Sequence, residues 1–156
     1  MTNPQAGDCR RATALVCHYG NQNLGGVNEI LKEAVAVNRV TPLITSVLDL
    51  HESMGPLLHT PDGLACLTQM IYSLADNEDG DQDCRRAPLL VIRHDRRDAP
   101  RINAVLKEAA EADRVTELVV ALLSLYSILM PMLYSQLGLQ VLQRSILNWA
   151  AREDAG

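Results

Sequence analysis

The chain has 156 residues and a net charge of −5, with 47% apolar, 21% charged and 3% aromatic side chains and no Phe. That balance supports a buried core and excludes a disordered chain. The negative charge and the scarcity of aromatic rings exclude a protein whose whole surface grips nucleic acid. The first eight residues hold no basic segment followed by an apolar one, so no secretory signal is expected. Cys9, Cys17, Cys66 and Cys84 form no C-x-x-C pair, which points to reduced thiols in a cytoplasmic protein. Arg outnumbers Lys twelve to two, a bias that fits a GC-rich genome and that no physical requirement explains.

Shifted by 75 residues, the sequence lies on itself without a gap. Asp8-Cys-Arg-Arg-Ala12 recurs as Asp83-Cys-Arg-Arg-Ala87, Leu31-Lys-Glu-Ala34 as Leu106-Lys-Glu-Ala109, and Arg39-Val-Thr41 as Arg114-Val-Thr116. Residues 8–81 and 83–156 share 27 identities in 74 aligned pairs, about five times the level expected by chance. The expected fold is therefore all-α. A tandem duplication of a roughly 75-residue helical unit, about four helices each, packs as a pseudo-two-fold bundle, because an isologous interface survives fusion of its subunits. Residues 1–80 form the first repeat and 81–156 the second. The acidic stretch 75–83 reads as a solvated linker.

The first segment of each repeat, 11–18 and 86–93, reads as a short helix, with a short strand as the alternative. Pro88 favours a helix that begins near Ala87. Val27, Ile30, Leu31, Ala34 and Val37 then recur as Ile102, Val105, Leu106, Ala109 and Ala112, one buried stripe of a three-turn helix. Arg39 and Arg114 fall near its C-terminus, where a cation suits the helix dipole. Thr41-Pro42 and Thr116-Glu117 read as the start of a third helix, which Pro56 and Pro131 end or kink. Thr60-Pro61 and Ser135 open a fourth, about 61–75 and 136–151. Its apolar face is Leu64, Leu67, Ile71 and Leu74, answered by Leu139, Leu142, Ile146 and Trp149.

Residues 118–143 carry no charge, yet a membrane span is not expected. The matching 43–68 carries Asp49, His51, Glu52, His59 and Asp62, and a duplicated fold does not place one copy in water and the other in lipid. The third helix keeps shared core leucines, Leu43, Leu48, Leu50 and Leu58 against Leu118, Leu123, Leu125 and Leu133. Its other face turns from polar in the first repeat to apolar in the second. Apolar faces of this size are seldom left in water. Val119, Val120, Leu122, Ile128 and Met130 are therefore the candidate interface for self-association or a protein partner.

Residues 1–81 carry net −6 and residues 82–156 net +1. Arg85, Arg86, Arg93, Arg96, Arg97 and Arg101 form a basic run that suits phosphate or an acidic partner. Interspersed Asp residues and the lack of aromatics favour a solvated surface instead. No phosphate loop, G-x-S-x-G, H-E-x-x-H or zinc spacing is present. His51, Glu52, His59 and Asp62 are the best polar cluster and read as surface residues. Cys17-His18 reads as a buried thiol beside an exposed imidazole. No catalytic residue, metal or cofactor is expected. The leading expectation is a non-enzymatic helical interaction protein, a homo-oligomer or the binder of a protein partner. Alternatives are a nucleic-acid-associated regulator using the basic run and a small-ligand binder or enzyme at the repeat interface.

Overall fold

A computed structural model describes residues 2–76 and 82–155. Among them are eight helices and no strand: α1 (Pro4–Gly20), α2 (Leu24–Ala36), α3 (Val40–Leu58), α4 (Pro61–Ala75), α5 (Gln82–Asp95), α6 (Ala99–Glu111), α7 (Val115–Leu129) and α8 (Gln136–Ala155). From α2 to α4 each helix begins 75 residues before its counterpart, at 24 and 99, 40 and 115, 61 and 136. The turns repeat as well. Gln22 and Arg97 close α1 and α5 with φ of 60° and 55°, and Asn38 and Asp113 follow α2 and α6 with φ of 56° each. These left-handed residues sit just past a helix end, where such a backbone satisfies the last carbonyls.

The caps follow from local chemistry. Asn23 and Asp98 accept from the backbone N–H of Gly26 and Arg101 at 2.9 and 3.3 Å, and Thr60 and Ser135 accept from Gly63 and Gly138 at 3.1 and 3.2 Å. These side chains satisfy donors that the first turn leaves without partners. Most of the acidic linker read over 75–83 lies outside the described residues; its ends, Ala75 and Gln82-Asp83, belong to α4 and α5.

Several expected boundaries move. The first segments are full helices, and α5 begins at Gln82 and runs through Pro88. Helix α3 likewise runs through Pro56 to Leu58 instead of ending there. Each proline removes one hydrogen bond to the residue four back, Cys84 or Glu52, and both of these residues are exposed. Thr41 is not a cap: the Arg39 carbonyl accepts the Leu43 N–H at 2.9 Å, so Pro42 falls in the first turn, where its missing donor costs nothing. Val37 lies beyond α2 and is exposed. Helix α7 has only 15 residues, and among the described residues no helix is long and apolar enough to cross a membrane.

The compact units divide the chain differently from the halves 1–80 and 81–156. One comprises Met1–His51 with Met130–Gly156, the other Glu52–Leu129. In the first, α1 packs against α2 and α8; Leu15, Val16, Val27, Leu31, Leu139 and Leu142 are buried there. In the second, α5 packs against α4, α6 and α7 around Leu90, Val105, Leu106, Leu118, Leu122 and Leu123. The last helix of each chain half thus serves the other half's first helix.

Each unit contains an ion network built from the recurring residues around a buried aspartate and arginine. In the first, Asp8 pairs with Arg11 at 3.4 Å and with Arg39, and Arg11 Nε reaches Glu33 at 3.0 Å. In the second, Asp83 pairs with Arg86 at 3.4 Å and with Arg114, and Arg86 reaches Glu108 at 2.9 Å. Arg39 and Arg114 therefore serve a carboxylate on α1 or α5, not the dipole of the preceding helix.

Removing one partner of a buried pair strands the other charge. Asp8→Ala and Asp83→Ala should each destabilise by about 3 kcal/mol in chemical denaturation; a loss below about 1 kcal/mol in both would mean water already screens the networks. Leu106→Ala should cost roughly 2–5 kcal/mol, as expected for a leucine 8% exposed in the core.

Candidate functional site

Several arginines of the basic run have partners within the chain. Arg86 is buried and spent on Asp83 and Glu108. Arg97 makes a two-pronged bond to Glu52 at 3.0 and 3.2 Å, and Glu52 also meets His94 Nδ1 at 2.9 Å. Arg96 donates to the Tyr72 hydroxyl at 2.6 Å and lies over its ring, while Arg101 pairs with Asp98 at 3.3 Å. Arg85 and Arg93 remain, both half-buried on α5. Spacing in sequence is contiguous here, but successive residues around α5 and the turn into α6 point in different directions.

The candidate apolar interface is largely internal. Val119, Leu122 and Met130 are buried and Val120 is half-buried; Ile128 alone stands out, at 69% exposure. The apolar side of α7 thus includes core positions that read as surface, and α5 packs against this helix. Helix α4 also carries a partly open apolar row, and α8 exposes Leu137, Val141 and Leu147. Met70 and Leu74 are 49% and 42% exposed, four residues apart, beside half-buried Leu67 and Ile71. On α8 the counterparts of Leu64 and Leu67, Leu139 and Leu142, are each 5% exposed.

His51 is not a surface residue. It is buried, its Nδ1 lies 2.7 Å from the Val47 carbonyl and its Nε2 lies 2.8 Å from the Tyr134 hydroxyl. The geometry fits a neutral ring that donates from Nδ1 and accepts at Nε2. Tyr134 stacks on that ring and meets Tyr19 edge-on. Burial pushes the His51 pKa down to about 4, against the smaller upward pull of the Val47 carbonyl. His59 is half-buried, and Asp62 is exposed in the first turn of α4. The sequence alone could not reveal the His51–Tyr134 pair, since the two residues lie 83 apart.

All four cysteines are free thiols. Cys17 is buried, and burial raises its pKa to about 11, so His18 does not activate it as a nucleophile. Glu33 shows the opposite balance: burial pushes its carboxyl up, but hydrogen bonds and charge from Arg10 and Arg11 outweigh that and hold it below the usual carboxylate range.

Comparison with protein-family models, curated proteins and solved structures finds no match.

The buried imidazole makes stability depend on pH. As pH falls below the ordinary value of 6.5, the unfolded chain takes up a proton that folded His51 refuses until about pH 4. Stability present above 6.5 is therefore lost on acidification. Chemical denaturation at pH 7.5 and 5 should differ by about 2 kcal/mol more in the parent than in His51→Gln. Equal differences would mean that His51 protonates without unfolding.

Proposed function

We propose that this chain is a non-enzymatic helical interaction protein. It is a duplicated four-helix unit that has exchanged its last helices and packs about a pseudo-two-fold axis. The matched ion networks, caps and left-handed turns at a 75-residue offset support the duplication. The observation that carries the binding role is the apolar row Leu67, Met70, Ile71 and Leu74 on α4, left partly open where α8 buries its counterparts Leu142 and Ile146 more deeply or equally. Exposed apolar residues scattered singly are ordinary, whereas a continuous row on one helix marks a contact surface. Exposed Ile128 retains the part of the α7 candidate surface that faces solvent. The occupant proposed is a second copy of this chain.

The alternative of a nucleic-acid regulator is weaker, because Arg86, Arg96, Arg97 and Arg101 already have partners within the chain. A broad electrostatic grip on phosphates needs several free cations on one face.

Sedimentation across a concentration series tests the reading. The parent should show a dimer, and Met70→Asp with Leu74→Asp should return it to a 17.1 kDa monomer with its helicity intact. A parent that stays monomeric at every concentration would refute self-association through α4.

A further inference from the structure

Arg10 and Arg85 are equivalent residues, and Glu78, the counterpart of Glu153, lies outside the described residues. Arg10 Nε donates to Glu153 at 2.7 Å, and its Nη2 reaches Glu33. Arg85 stands 75 residues later, on α5. Its Nε is buried and, among the described residues, has no acceptor. Glu108, the counterpart of Glu33, is taken by Arg86, whose Nε and Nη2 both bond its Oε1 at 3.1 and 2.9 Å. A buried donor on a charged group without an acceptor is costly, and native structures seldom leave one unless something else completes it.

Arg85 lines a cleft of about 380 Å³ between α5 and α6. Gln82, Arg85, Leu89 and Arg93 recur at three- and four-residue spacing, so they share one face of α5. Across the cleft are Ala104, Val105 and Glu108. Arg93 donates from Nη1 to the Arg101 carbonyl at 3.3 Å, a bond that leaves its charge uncompensated. Among the described residues no carboxylate pairs with Arg85 or Arg93. The lining carboxylate, Glu108, is neutralised by Arg86. The cleft thus offers two guanidinium charges, a side-chain amide and an apolar floor.

We propose that this cleft binds a phosphate monoester, with Arg85 and Arg93 on the phosphate and Leu89, Ala104 and Val105 against its organic group. A phosphate monoester carries nearly two negative charges at neutral pH, which matches the two guanidiniums that have no carboxylate partner among the described residues. A single carboxylate leaves one of them unbalanced. Guanidinium forks suit phosphate oxygens in number and direction. The site is independent of the α4 contact surface, so either proposal stands if the other fails.

The test titrates the whole protein with phenyl phosphate, inorganic phosphate and benzoate, following the Arg Nε–H resonances by NMR. Phenyl phosphate should shift the Arg85 Nε–H signal saturably and bind about tenfold tighter than either comparator. Arg85→Gln and Arg93→Gln should each weaken it by about tenfold or more, while Arg144→Gln at an exposed position of α8 leaves it unchanged. Circular dichroism of each variant separates lost binding from lost folding. Benzoate binding as tightly as phenyl phosphate would overturn the phosphate assignment and leave an apolar carboxylate site. Inorganic phosphate binding equally well would overturn the role of the apolar floor. An Arg85 signal unmoved by all three ligands would overturn the site altogether.

Discussion

One buried carboxylate per unit organises each set of helices. Asp8 on α1 holds Arg11 on the same helix and Arg39 at the start of α3, and Arg11 carries the connection to Glu33 on α2. Three helices are thereby tied through directional contacts. Apolar packing alone tolerates small rotations of one helix against another; a charge with a fixed partner does not. Buried ion pairs add little net stability over a well-packed apolar core, but losing one partner is costly. That asymmetry suits a role in fixing the register of α1, α2 and α3, and Asp83, Arg86, Glu108 and Arg114 reproduce it in the second unit.

This explains which parts of the fold were legible in the sequence. The most closely repeated motifs, Asp-Cys-Arg-Arg-Ala and Leu-Lys-Glu-Ala, contain network residues, and the apolar stripe Val27, Ile30, Leu31, Ala34 lies beside them. Helical period and the 75-residue shift locate the elements, because both are local or additive signals. Prolines misplace the ends of α3 and the start of α5, since a proline is tolerated inside a helix when the carbonyl it frees reaches water. The exchange of α4 and α8 leaves no mark on periodicity. An amphipathic helix shows which face it buries, not which helix it buries that face against.

The same limit governs the candidate sites. Val119 and Leu122 belong to an apolar helix face, and only three-dimensional packing reveals that they are buried. The six arginines are close in sequence but part company around α5 and its turn, where Glu52, Tyr72, Asp98 and Glu108 claim four of them. His51 depends on a partner 83 residues away. Side chains whose roles depend on distant partners are opaque to a reading built on spacing.

Differences between the two units are more informative about function than their likeness. Features present in both, the networks, caps and turns, are what each unit needs to fold. Features present in one alone have been released from that need. Glu153 completes Arg10 in the first unit, whereas Arg85 Nε has no described acceptor in the second. Leu139 and Leu142 are buried on α8, whereas Leu64 and Leu67 on α4 are half-open. Both departures fall in the unit Glu52–Leu129, one polar and one apolar. The unit Glu52–Leu129 carries a buried donor with no acceptor among the described residues and a partly open apolar row on α4.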